Sequence, residues 1–181
     1  TRYESSAASD VYKRQLEGAK PVLSTSRFYP YANDLVHIVG YVGDASPKDL
    51  EKPEIKENFV PGLKVGKYGI ENSQEKMLIG NYGIKRYEVN ASGKRISQID
   101  YIKERQGNKV NLTIDIEIQK YAQELLKGKA GSICAMDIYT GEVVAMASSP
   151  TYDPNKFTHG INQKDWQEIR NNPLKPLINK S

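Results

Sequence analysis

Two apolar runs dominate the second half of the chain. In the first, Ile133 and Ala135 fall on one face and Cys134, Met136 and Ile138 on the other; the second, Val143 to Ala147, is again apolar on both faces. Strands of this kind need cover on both sides. Tyr139-Thr140-Gly141 between them predicts a short hairpin loop with a bulge, because Gly141 can take the positive φ that such a loop requires. Pro150 and Pro154 then end ladder pairing. A helix is predicted over 116–127, where Ile118, Tyr121, Ala122, Leu125 and Leu126 recur at three-four spacing, Asp115 can cap the start and Gly128 can close the end. A second helix is predicted over about 163–171, with Asn162 as cap, Asp165 in the first turn, Trp166 and Ile169 facing inward, and Pro173 ending it.

The first half is punctuated differently. Val36 to Val42 reads as a β segment, and 46–62, charged and carrying Pro47, Pro53 and Pro61, reads as a loop or broken helix. Tyr82 to Val89 and Arg95 to Lys103 read as two strands around Asn90-Ala91-Ser92-Gly93. The polar stretch before Asn108-Lys109-Val110 marks the expected junction of two units, with few contacts across it. Short strands followed by helix, hairpin and helix give an α+β class.

Composition narrows the picture. At 181 residues, 38% hydrophobic and 27% charged, the chain fits one ordinary domain or two small ones. No apolar run approaches the ~18 residues that would span a membrane, and no signal peptide pattern opens the chain. The net charge of +4 sits upstream: residues 1–130 hold 21 basic and 17 acidic side chains, and 131–181 hold 5 of each. Tyr68, Tyr82 and Tyr87 interleaved with Lys67, Lys85 and Arg86 make the best case for nucleic acid, but so small a surplus among acids reads as a solvated surface, and no nucleic-acid partner is expected. One cysteine excludes an internal disulfide, and Cys134 with only His37 and His159 excludes an ordinary structural zinc site. No metal or cofactor is expected. Cys134 is expected to be a small core hydrophobe, and His37 a structural residue in an apolar strand.

Candidate chemistry is sparse. Gly62, Gly66 and Gly69 around Lys67 imitate a phosphate loop, yet Gly62 lies one place too close and Tyr68 stands where Ser or Thr is needed. Asp115 with Glu117, or Glu54 with Glu57, are carboxylate pairs of glycosidase type, but neighbours on one segment cannot flank a scissile bond. Ser148 and Ser149 lack a placed base and are expected to bond backbone at the strand end. Asp153 and Asn155 around Pro154 suit an Asx turn.

Taken in order, these motifs carry a resemblance. GSICAMDIYTGEVVAMASSPTYDPNKF (131–157) is similar to the opening hairpin of the transpeptidase domain of class B penicillin-binding proteins, with LTIDIEIQKYAQELL (112–126) before it and Trp166 and PLINKS (176–181) after it. RFYPYANDLVHIVGYVG (27–43), GKYGIE (66–71) and EVNASGKRI (88–96) resemble the pedestal, or dimerisation, domain of the same family, and the elongation-type members fit best. The resemblance implies a pedestal over 16–109, partial, and a transpeptidase start over 110–181. It implies a serine D,D-transpeptidase acting on peptidoglycan stem peptides and trapped by β-lactams. Partners would be a membrane glycosyltransferase and scaffold proteins, on the periplasmic side of the bacterial inner membrane. An N-terminal anchor would precede Thr1. The family's Ser-x-x-Lys, Ser-x-Asn and Lys-Thr-Gly motifs would lie beyond Ser181, so no catalytic residue is expected here; Thr140-Gly141 follows a tyrosine, not a lysine. Residues 1–15 have no counterpart in the family, resemble a translated adapter, and are expected to be non-native or disordered. Two rivals stay open: a non-catalytic interaction module of the cell-wall synthesis complex, and a division-type relative.

Overall fold

The computed structural model describes residues 26–57, 62–81, 83–92 and 94–181. The expectations for residues 1–15, Pro61, Tyr82 and Gly93 lie outside these. Among these residues, helix α1 (Ala32–Val39) is followed by β1 (Val42–Asp44), a 3-10 turn at Asp49–Glu51, α2 (Pro53–Glu57), β2 (Lys64–Gly66), α3 (Gly69–Ser73) and α4 (Glu75–Leu78). A ribbon of β3 (Ile84–Val89) and β4 (Arg95–Ile102) leads to α5 (Ile116–Leu125), the hairpin β5 (Gly131–Met136) and β6 (Val143–Ser149), α6 (Asn155–Thr158) and α7 (Gln163–Asn171). The class is α+β, as the sequence predicts. Among the described residues there are three separate antiparallel pairs, β1–β2, β3–β4 and β5–β6.

Val36 to Val42 corrects a prediction. Its β-branched content suggests a strand, but Leu35, Val36 and Val39 follow Ala32 at helical spacing, and the chain is helical until Gly40. Gly40 ends α1 at φ 81°, its N–H bonding Val36 O. A Cβ there would lie 1.9 Å from Tyr68 O, so only glycine lets the two backbones cross.

The caps of α5 and α7 form as predicted. Asp115 accepts from the N–H groups of Glu117 and Ile118, Asn162 Oδ1 accepts from Asp165 N, and Gly128 has φ 74°. The inward face of α5 differs. Gln119 and Ala122 are buried, whereas Ile118, Tyr121 and Leu125 are 44%, 63% and 50% exposed. The apolar stripe is real, but the helix docks on β6 through the neighbouring face, where Gln119 meets backbone groups that no apolar side chain could satisfy.

The hairpin has the predicted turn. Gly141 sits at φ 75°, with a register shift at Ala135/Met136. Asp137 organises it, its Oδ1 accepting from Tyr139 N at 2.7 Å and Thr140 N at 3.1 Å. One face packs, burying Ala145 and Ala147; Met136 and Ile138 on the other are exposed, and so is Cys134. The expected burial of Cys134 is therefore wrong: alternation along β5 puts it on the outer face.

Among the described residues, two clusters form the core. Ile55, Leu63 and Val65 gather Ala45, Leu50 and Ile79; Val36, Tyr152 and Phe157 gather Tyr41, Ile161, Trp166, Ile169 and Leu177. The second cluster takes α1 from the first half and the 152–177 region from the second. Contacts across Asn108–Val110 are thus extensive, not few, because α1 supplies cover that the hairpin side needs. No sheet among the described residues crosses the junction.

Candidate functional site

A dense polar network lies where the end of β6 meets α1, α5 and the final segment. Asp115 N donates to Val144 O at 2.8 Å and Thr113 Oγ1 to Val143 O at 2.7 Å, laying the start of α5 along β6. One turn on, the fully buried Gln119 completes the joint. Its Nε2 donates to Asp34 O at 2.7 Å and Met146 O at 3.1 Å, and its Oε1 accepts from Met146 N at 2.8 Å. One amide thereby ties α1, α5 and β6 together. Gln123 Nε2 donates to Ser148 O at 3.3 Å.

Ser148 and Ser149 bond backbone, as the sequence predicts. Ser149 Oγ faces Lys129 O at 2.7 Å and Leu126 O at 3.2 Å, while Ser148 Oγ accepts from Lys180 N at 2.9 Å. Ser132 Oγ donates to Lys180 O at 2.8 Å. Two serines on adjacent strands thus hold the main chain of the 176–181 segment at the hairpin's end. The Lys180 ammonium turns instead toward Lys175 O and Ile178 O.

His37 sits inside this joint, buried, with Nε2 3.2 Å from Pro150 O. The carbonyl accepts, so Nε2 carries the proton; Nδ1 has no partner. Burial holds the ring's pKa below its ordinary value, and Lys180 adds to the effect. The ring stands edge-on to Tyr152, with centroids 5.8 Å apart. His37 is structural, as expected, though on a helix. His159 is exposed, 3.3 Å from Ser26 Oγ. Asn155 mimics a strand neighbour for Tyr29, accepting from Tyr29 N at 2.9 Å and donating to Tyr29 O at 3.1 Å, while Asp153 Oδ1 accepts from Asn155 N in the predicted Asx turn.

A second polar group supports α3 and α4. Glu71 takes Arg27 at 2.8 Å and the Tyr29 hydroxyl at 3.2 Å, and Glu75 accepts from Gly66 N. Burial raises the Glu75 pKa; the Gly66 N–H opposes this and nearby Glu71 adds to it. Desolvation also pushes Asp49 up, but hydrogen bonds from Lys67 and Ser46 outweigh it and hold the carboxyl at about 2.

None of the weighed catalytic readings is assembled among the described residues. Lys67 is paired with Asp49 at 2.5 Å, which takes it from any phosphate role. Asp115 is engaged as a cap, and Glu117 lies exposed beside Lys120. The side chains of Glu54 and Glu57 lie outside the described part. Lys67 and Tyr68 stand near β2, apart from Lys85, Arg86 and Tyr87 on the ribbon. One spacing needs correction: Ser73-Gln74-Glu75-Lys76 does have lysine three residues after serine, where sequence reading expects no such motif. Ser73 is the last residue of α3, the helix breaks at Gln74, and both side chains are exposed, so no shared turn brings hydroxyl to amine. Gln119 and Asp137 are the residues that sequence reasoning missed. No group of three or more metal-ligating side chains and no membrane-spanning helix occurs among the described residues.

Comparison with known proteins places this geometry. The family model for the penicillin-binding protein dimerisation domain matches residues 2–112, beginning inside the stretch set aside above as non-native. The peptidoglycan D,D-transpeptidase MrdA of Escherichia coli K12 is 37% identical over 158 residues, covering 86% of this chain and 25% of that protein. The chain thus spans a quarter of that relative's length. The complex of penicillin-binding protein 2 with MreC from Helicobacter pylori matches at TM-score 0.79 and 34% identity, covering 94% of this chain and 31% of that one. Penicillin-binding protein 2 of Pseudomonas aeruginosa in complex with WCK 5153 matches at TM-score 0.69 and 33% identity, covering 88% and 32%. The match along residues 2–112 and the relatives agree: the chain belongs to the penicillin-binding protein dimerisation domain family and is homologous to penicillin-binding protein 2.

Proposed function

We propose that this chain is the non-catalytic foundation of an elongation-type peptidoglycan D,D-transpeptidase, with the pedestal over 16–109 and the opening of the transpeptidase domain over 110–181. In the whole protein a serine hydroxyl adds to the penultimate D-alanine carbonyl of a stem peptide. The terminal D-alanine leaves as its amine, and the acyl group passes to the amine of a neighbouring stem peptide. These 181 residues do not carry that serine. They position the segment that leads to it.

The observation that supports this most is the clamp on Lys180. Ser148 and Ser132 fix the end of the family's PLINKS-like segment to the same hairpin that Gln119 ties to α1. A rigid base under a nucleophile-bearing segment is what acyl transfer needs, since small displacements of reacting atoms cost large factors in rate. The pedestal would also meet scaffold proteins and a membrane glycosyltransferase on the periplasmic side of the inner membrane. The Helicobacter pylori relative, bound to MreC, supports a scaffold partner. The test is labelling with a fluorescent penicillin. The 181-residue chain should stay unlabelled, and the chain extended through a Ser-x-x-Lys, Ser-x-Asn and Lys-Thr-Gly set should label stoichiometrically. Stoichiometric labelling of the 181-residue chain, abolished by Ser73→Ala or by the Ser148→Ala/Ser149→Ala pair, would overturn the reading.

A further inference from the structure

Among the described residues the β3–β4 ribbon packs mainly on itself, and nearly all of its side chains are exposed. Ile96 and Ile99, at the two register shifts, are 63% and 68% exposed. An isolated two-stranded ribbon is marginally stable in water, so exposed apolar side chains along one point to a covering partner.

The two faces of the ribbon differ in charge. The pairing sets Arg86 opposite Asp100 and Glu88 opposite Ser97 on one face. There the charges are answered: Arg86 lies 3.6 Å from Asp100, and Ser97 donates to Glu88 at 3.0 Å. The alternate pairs, Lys85 with Tyr101, Tyr87 with Gln98 and Val89 with Arg95, share the other face. Its cations sit over rings: Arg95 is 4.5 Å from the Tyr87 centroid and Lys85 is 5.3 Å from that of Tyr101. A ring orients a cation but leaves its charge uncompensated. One carboxylate, Glu104, reaches the base of this face by accepting from the Tyr101 hydroxyl at 3.0 Å. The outer end around Arg95 and Tyr87 has none among the described residues.

We infer that the Lys85, Tyr87, Arg95 and Tyr101 face of the ribbon docks an acidic segment of a partner protein. Charge complementarity selects this occupant. Ile84 to Arg105 holds six basic and three acidic side chains, so a second copy of the ribbon would repel the first. The tip, Asn90-Ala91-Ser92-Gly93-Lys94, is polar, which disfavours insertion into a lipid surface. Tyrosine and arginine are also the side chains that anchor interfaces. The inference extends the interaction role proposed above, and its failure would leave the penicillin test untouched.

The experiment uses the 181-residue chain and a fluorescein-labelled peptide of alternating Glu and Val, read by anisotropy at low salt. Arg95→Gln and Arg86→Gln change the net charge equally, on opposite faces. Binding should weaken at least fivefold with Arg95→Gln and less than twofold with Arg86→Gln. Lys85→Gln should repeat the Arg95→Gln loss, which guards against misfolding of one variant. No binding, or equal losses from the two faces, would overturn the inference. So would tighter binding to phosphatidylglycerol vesicles than to the peptide, or self-association of the chain through this face.

Discussion

Replacing Gln119 by leucine keeps side-chain size and helix propensity but removes the amide that joins three elements. Two half-buried backbone groups, Met146 N–H and Met146 C=O, lose their partner, and Asp34 C=O, which keeps its bond within α1, loses a second one. Each of the two orphaned groups costs ~1–3 kcal/mol, and burial of the leucine's apolar surface returns ~1–2 kcal/mol, so the net loss should centre on ~2–3 kcal/mol. Against a total stability of ~5–15 kcal/mol that is a large fraction. Gln123→Ala is the internal comparison, since Gln123 makes one bond of 3.3 Å from a half-buried position and should cost ~1 kcal/mol. Urea unfolding followed by far-UV circular dichroism measures both. A Gln119→Leu loss below ~1 kcal/mol, or equal to that of Gln123→Ala, would refute the claim that this amide is the joint.

His37 gives a pH prediction. Its pKa is lowered in the folded state, so below ~6.5 the unfolded chain binds the proton more readily; the stability it contributes is full above ~6.5 and falls as pH drops through that value. The melting temperature should drop more between pH 7.5 and 5.5 for the wild-type chain than for His37→Phe, and parallel drops would contradict this. Gly40→Ala should cost more than ~3 kcal/mol in the same urea assay, because the added Cβ meets Tyr68 O at 1.9 Å on a backbone with φ 81°; a loss under ~1 kcal/mol would show that the crossing is loose. Asp115→Ala should cost ~1 kcal/mol, seen as faster amide exchange in the first turn of α5, and unchanged exchange would deny the cap.

What the sequence made legible was local chemistry. Asp115, Asn162 and Gly141 act on groups two to four residues away, so the bounds of α5 and α7 and the hairpin turn could be read directly. Ser148 and Ser149 were readable as backbone binders for the same reason. What depends on a distant partner was not readable. The α1 segment reads as a strand because Val36, Ile38 and Val39 favour both forms, and packing against Tyr152 and Phe157 decides in favour of the helix. Gln119 reads as a surface residue in any helix; only the approach of Met146 and Asp34 makes it the centre of the joint. The choice between the two faces of α5, and the exposure of Cys134, likewise follow from which side β6 offers.

Native-state hydrogen exchange shows whether the first half of the chain and the hairpin side rest on one foundation, as proposed. If α1 is locked to α5 and β6, the amides of Val36, Ala122 and Ala147 should open with the same free energy and the same dependence on urea. Exchange at Val36 that is at least a hundredfold faster than at Ala147, with no urea dependence in common, would mean that the two halves only touch, and the proposed foundation would fail.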